Sequence, residues 1–399
     1  MYQAVHSDRS GRVFVSADYG AAALDGPTPV ALDRAIPLPA GAELVPLADR
    51  AAIGIDRRGQ PRSLGPTRWA LAAILGPGQL RTHLPACLSE GRVPALDPLG
   101  YAAVAADGRG ELVVAAVALG PAAPPTAADL GAAITTRLRS EPSNRLLRQL
   151  ARCAREYRCP YAANAFLGTG ECALPVGAPA NDGAAPVVAL RRREERAPLE
   201  PVTFEAETSD IAAVAVAHLS GGGACVSFGH ACEGEPLARA RTIADATAEV
   251  RRQVDRPGGE IVLRTSGASA AALGRAADAG VDRVVVRIAS AHGPTYAVVH
   301  RPSGYRWTDV RATLREAAAR KLAITVELLV LPGLTDRERE VRALFELLGE
   351  LPAGTELRLA DLAADPYALL AQLPAVAVTG IAALIARLRT DAAHLRLAA

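Results

Sequence analysis

The chain is nearly free of lysine: Lys321 is the single one among 44 basic residues, and the rest are arginine. An arginine in this sequence is therefore the default cation and no sign of a ligand by itself. Aromatic residues make up only 4% of the 399 residues, too few for a base-stacking platform. The formal charge is +2, with 44 basic against 42 acidic groups, so no electrostatic footprint for nucleic acid exists. The longest unbroken apolar run, Leu112 to Leu119, is far short of the ~18 residues of a spanning helix and fits a buried strand. Met1 to Phe14 carries no apolar signal core, which gives the expectation of a cytoplasmic protein that neither enters nor spans a membrane. The six cysteines include no Cys-x2-Cys pair and do not read as a disulfide framework. His230 and Cys232 stand two apart without a third ligand at metal spacing. No phosphate-binding loop of the Walker type and no Gly-x-Ser-x-Gly elbow occur; Gly221-Gly222-Gly223 precedes a strand and reads as a turn.

What is present divides into three parts. Residues 1–125 form a β-rich segment, with short apolar runs broken by Asp25-Gly26, Arg58-Gly59 and Asp107-Gly108; the last joins Tyr101–Ala105 to Glu111–Val117 as a hairpin. A Pro/Ala linker begins at Gly120. Residues 126–195 are a helical connection in which Pro142 separates two helices, the second over Arg145–Tyr157 with Leu146, Leu147, Leu150 and Cys153 on one face. Arg191 to Arg196 is a charge cluster that reads as a solvated segment. From 196 to 399 strands and helices alternate: strands at Ala224–Phe228, Glu260–Arg264, Arg283–Ile288, Ala323–Val330 and Glu356–Leu359, with a further strand before residue 176. Helices fall between them, one opened by a Thr335/Glu338 capping box. That rhythm implies parallel βαβ units in a full or partial TIM-type barrel, an α/β fold whose ligands sit at the C-terminal strand ends.

Four strand-end segments share an order with a known superfamily. They are Ser227-Phe228-Gly229-His230-Ala231-Cys232-Glu233-Gly234-Glu235-Pro236, Leu263–Gly267, Val286–Ala291 with Arg301–Tyr305, and Leu331-Pro332-Gly333-Leu334-Thr335-Asp336. Over roughly residues 140–370 the chain resembles the radical S-adenosylmethionine (SAM) superfamily. The resemblance implies that Gly234, Glu235 and Pro236 receive the ammonium group of SAM, with Glu233 where the family has a further Gly. From the residues alone, Glu235 also suits a helix cap. The resemblance further implies Ser266, Arg287, Ser290 and Arg301 as lining. Ser266 replaces an expected Asn, and Ala360 and Ala363 replace polar family positions.

The same resemblance implies a [4Fe–4S] cluster held by Cys-x3-Cys-x2-Cys, and no such motif occurs. Its loop falls at Val176–Val188, where the ligand positions match Ala180, Ala184 and Val187. Thiolate ligation is indispensable to such a cluster. An atypical set from Cys153, Cys159, Cys172 and Cys232 is the alternative, although Cys153 and Cys225 read as small core hydrophobes. The expectation is a diverged, cluster-free barrel that binds a small molecule, SAM among the candidates, or serves a protein partner such as an active relative. Two enzyme readings stand beside it: an active radical enzyme with an unusual iron–sulfur site, and an acid–base barrel enzyme using Glu235, Glu327 or His230. In the acid–base reading, a buried Glu327 would take Arg358 or Arg264 as its partner. A third alternative is an interaction protein acting through the β-rich segment.

Overall fold

The computed structural model describes residues 2–76, 78–89, 91, 93–120, 129–184, 202–255 and 258–398. The Arg191–Arg196 cluster and Val187 lie outside these. Seven strands form one parallel sheet in chain order: Glu171–Ala173, Cys225–Phe228, Glu260–Thr265, Arg283–Ile288, Ala323–Val330, Glu356–Asp361 and Arg396–Ala398. The order never reverses. Right-handed crossovers then place every connecting helix on one face, so the sheet curls as a barrel rather than winding both ways. Among the described residues the first and seventh strands do not pair, and the barrel stays open.

Strand alternation sorts the side chains. Val226, Phe228, Ile261, Leu263, Val284, Val286, Ile324, Val326, Leu357 and Leu359 point outward into one apolar core under the helices. The alternate set, beginning with Glu171, Ser227, Glu260 and Arg264, points inward. Helices Arg145–Glu156 and Pro160–Leu167 pack beside the open edge at the first strand, with Leu146, Leu147, Leu150 and Cys153 buried on one face.

Residues 3–118 are built of antiparallel strands. Val13–Asp25 and Glu43–Ile55 are long enough to bend and pair with several partners each. Their cores are rich in alanine (Ala4, Ala72, Ala102, Ala105), which lets layers approach closely. Tyr101–Ala106 and Leu112–Val114 form the hairpin, closed by Asp107 Oδ1, which accepts the Arg109 and Glu111 N–H groups. The run Leu112–Leu119 is not one strand. It breaks at Ala115, whose N–H goes to Ala103 and whose carbonyl takes the Thr82 N–H, so that Ala116–Ala118 joins a different sheet. Thr335 and Glu338 form no capping box either: Thr335 Oγ1 accepts the Leu331 N–H and folds the preceding turn, while the helix Glu338–Gly349 starts without a side-chain cap.

The antiparallel part is fastened onto the barrel rim by a buried arginine. Arg81 is 0% exposed; its Nη2 donates to Leu362 O at 2.7 Å, and its Nε lies 3.4 Å from Asp361 Oδ1. Leu362 directly follows the sixth barrel strand. Tyr367 Oη donating to Pro85 O and Leu96 N–H donating to Asp365 secure the same seam. Removing one partner of a buried pair strands the other charge. Arg81→Ala should therefore cost about 3–5 kcal/mol in urea unfolding, and adding Asp361→Ala should recover part of the loss.

Candidate functional site at the strand ends

The segment after the second strand is stitched to its neighbours through backbone. The Gly234 N–H donates to Ala178 O (3.0 Å) and the Glu235 N–H to Pro179 O (2.8 Å). A Cβ at Gly234 would lie 2.1 Å from Pro179 O, so only glycine allows this approach. Pro236 opens a short 3-10 turn. The buried Glu235 carboxylate accepts from Leu237 N–H (2.9 Å), Thr265 Oγ1 (2.7 Å), Ser266 N–H (2.6 Å) and Ser266 Oγ (2.6 Å). It caps the turn and staples it to the third strand, and four protein donors fill its acceptor positions. Burial pushes its pKa upward against these donors.

Gly234, Glu235, Ser266 and Arg287 meet in one crevice together with Asn181, Asp182 and Arg264. Its volume is about 20 Å³, room for about one water. Ser290 is elsewhere: its hydroxyl donates to the buried Glu340 (2.5 Å), which also accepts from Thr295 (2.6 Å). Arg301 stands at the rim, at the end of helix Gly293–His300.

Glu233, which replaces a glycine of the resemblance, has a structural task that sequence reasoning missed. It is 3% exposed, and its carboxylate accepts the N–H groups of Val176 (2.8 Å), Ala178 (3.3 Å) and Gly229 (2.8 Å). It thereby pins the loop after the first strand. Burial pushes this carboxyl up to about 7, opposed by the N–H donors. The loop's far end is held by Asp182, whose Oδ2 lies 2.9 Å from His300 Nδ1. His300 Nε2 accepts the Ala289 N–H, so the ring proton is on Nδ1 and is donated to Asp182.

The residues do not fit a [4Fe–4S] cluster on this loop. Ala180 and Ala184 offer no ligand, and Glu233 already occupies the inward N–H groups. Cys172 is buried under the helices, on the outer face of the first strand. Burial raises the Cys172 and Cys232 thiols, away from the thiolate a ligand must be. Among the described residues no three His, Cys, Asp or Glu side chains are placed to hold a metal ion.

Below the crevice the barrel lumen is filled with charge. Arg264 reaches both oxygens of Glu171 (2.9 and 3.1 Å), and Arg287 pairs with Glu327 (3.0 Å). Arg283 pairs with Glu260 (2.8 Å) and Arg358 with Glu356 (2.6 Å). Register sets both Arg287 and Arg358 beside Glu327, and the ion pair falls to Arg287 because Arg358 turns to Glu356. Burial would raise Glu327, but Arg287 and Arg264 outweigh it and hold the carboxyl below its usual range. In Glu171, burial is likewise outweighed by His230 and Arg264. Ser227, His230 and Glu171 also meet, yet Ser227 and Glu171 both approach Nε2 of His230. A hydrolytic triad needs its carboxylate on the other ring nitrogen.

Room for a ligand exists above the rim. A cleft of about 350 Å³ opens between the strand ends and the antiparallel part, walled by Leu96, Gly183, Val299, Arg301, Ala363 and Leu369. This is where barrels of this kind bind ligands. Arg301 holds a left-handed backbone (φ 46°), rare for a residue with a side chain, and makes no ion pair with the described residues.

No family model and no curated protein matches the chain. It is similar to solved structures of a radical SAM methyltransferase from Sphaerobacter thermophilus (TM-score 0.38, 15% identity, covering 56% of this chain and 64% of that one). It is also similar to the radical SAM methyltransferase TsrM from Kitasatospora setae (0.36, 16%, 49% and 35%). A third similar structure is SuiB from Streptococcus suis bound to S-adenosylmethionine (0.39, 10%, 63% and 54%). The chain spans less than two thirds of each. These likenesses concern fold alone, and at such scores they carry no argument about chemistry.

Two outcomes follow from the charged groups. Glu171→Gln leaves Arg264 unmatched and should cost about 3–5 kcal/mol in chemical denaturation near pH 7. Because burial raises the folded-state pKa of Glu233 to about 7, the folded chain releases this proton later than an unfolded glutamate, which loses it near pH 4.3. Stability should therefore fall as pH rises from about 4.5 to 7, by at most ~1.4 kcal/mol per pH unit from this group. In Glu233→Gln, urea midpoints measured across that range should lose this slope.

Proposed function

We propose that this chain is a cluster-free, radical SAM-like barrel that binds a small molecule bearing a carboxylate or phosphate in its strand-end cleft. SAM, which carries a carboxylate, is the first ligand to test. The protein serves as a binding protein or beside a catalytic partner protein. The observation that carries the reading is Arg301: a cation on the wall of a 350 Å³ cleft, held in a strained backbone and without an ion pair among the described residues. A guanidinium forms two parallel hydrogen bonds to a carboxylate or phosphate, which makes it the fitting group for such a ligand. The cluster-free part is supported by the alanines at 180 and 184 and by the carboxylate of Glu233 lodged on the loop. The tight crevice and the saturated Glu235 favour the wider cleft over the Gly234–Pro236 pocket for the ligand's bulk.

The test is calorimetric titration of SAM and of small carboxylate and phosphate metabolites, with iron and acid-labile sulfide measured on the same anaerobically purified protein. Binding without iron is the expected outcome. Arg301→Gly should weaken that binding at least about tenfold, a loss of ~1.4 kcal/mol. The same variant should leave stability unchanged or raise it by up to about 1 kcal/mol, since glycine takes the left-handed backbone freely. Near-stoichiometric iron and sulfide would sink the cluster-free reading; ligand affinity unchanged in Arg301→Gly would sink the cleft.

A further inference from the structure

A second cavity, of about 250 Å³, lies at the open lateral edge of the barrel, between the helices Arg145–Glu156 and Pro160–Leu167 and the turn after the second strand. Its walls are Leu150, Cys153, Tyr157, Cys159, Tyr161 and Cys232, with His230 as the polar group on the barrel side. We propose that this chamber is a binding site for a flat, two-ring aromatic molecule carrying one N–H or O–H donor.

Size sets the first constraint. A dry apolar cavity of about 150 Å³ takes one benzene ring, so 250 Å³ accommodates a fused pair. Lining chemistry sets the second. Thiols and tyrosine rings are polarizable, and sulfur packs favourably against aromatic edges. Among the described residues no three ligating groups are placed to hold a metal ion. Tyr161 leans on the His230 ring (centroids 4.4 Å apart, 42° between planes) and still keeps 39% of its surface exposed, surface that a ligand would cover.

His230 sets the third constraint. Its Nε2 faces Ser227 Oγ and Glu171 Oε1. A carboxylate can only accept there, and Ser227 donates its own proton to Glu171 at 2.6 Å, so Nε2 carries the hydrogen. Burial keeps the ring in its neutral form. Nδ1 is then a lone-pair acceptor, and it makes no hydrogen bond among the described residues. A ligand donor satisfies it; a ligand without one leaves it desolvated and unpaired.

The test uses indole and indene, which share a shape but differ in the N–H. Titration by ligand-observed NMR should give saturable indole binding, with indene about tenfold weaker. Cys159→Phe should abolish binding of both, while binding of anionic ligands in the rim cleft stays unchanged. In the wild-type protein, saturating indole should slow alkylation of Cys159 at least fivefold, a readout that stands even where the variant misfolds. The site is overturned by absence of indole binding up to its solubility limit, by unchanged affinity in folded Cys159→Phe, or by alkylation that indole does not slow. Equal affinity for indole and indene overturns the role of His230.

Discussion

The placement of the rim cleft and of the lateral chamber depends on the charge lattice inside the barrel. Arg283 and Arg287 pair with Glu260 and Glu327 on neighbouring parallel strands, Arg264 reaches Glu171 two strands away, and Arg358 pairs with Glu356 on its own strand. Buried ions repay their desolvation only when each is matched in good geometry. Here the charges balance, and the register supplies the geometry: Arg287 lies beside Glu327, and Glu327 beside Arg358. Arginine suits this better than lysine, because its planar fork reaches two acceptors at once, as Arg264 does on Glu171. The ion pairs fill the lumen among the described residues. Cavities of useful size lie instead at the rim, under the antiparallel part, and at the lateral edge beside the first strand.

Glu233 extends the same logic to the loop above the first strand. Backbone N–H groups that converge in a buried turn require an acceptor. In this chain a side chain from the adjacent turn provides it, and an internal carboxylate orders the loop. Gly234 permits the close approach that delivers this carboxylate. Glu235 repeats the device one strand further on, capping a turn and tying down Thr265 and Ser266 with the same two oxygens.

The parallel architecture was readable in the sequence because it rests on periodicity. Outward apolar positions such as Val284, Val286 and Ile288 recur every second residue, and helices of near-constant length separate the strands. The strand-end rule then drew attention to Glu235, Ser266 and Arg287, which do meet. What could not be read is pairing. Register puts Arg287 and Arg358 on either side of Glu327, and which one pairs depends on Glu356 claiming Arg358; whether Ser290 faces the mouth or Glu340 depends on how one turn closes. Glu233 left a trace, a carboxylate where the resemblance has glycine. Its partners are backbone groups some 55 residues away in sequence, and a pattern cannot name them. The run Leu112–Leu119 misled for a related reason: hydrophobicity reports burial, which holds for Val113–Ala116, but the bend at Ala115 is fixed by contacts to Ala103 and Thr82.

The lattice also governs whether the two cavities can influence one another. His230 and Glu171 form the wall between the lateral chamber and the lumen, while Arg264 belongs both to that pair and to the crevice beside Glu235. A signal from one side to the other would need a second arrangement of these charges that is equally neutral and equally well bonded. Glu171 is held at once by Arg264, Ser227 and His230, so exchanging one partner leaves a buried charge unmatched. Arg283 is the looser member, 2.8 Å from Glu260 and 3.7 Å from Glu356, but it lies at the opposite end of the strands from both cavities. The rim cleft and the lateral chamber are therefore separated by the most over-determined part of the lattice, and ligands in them should bind additively.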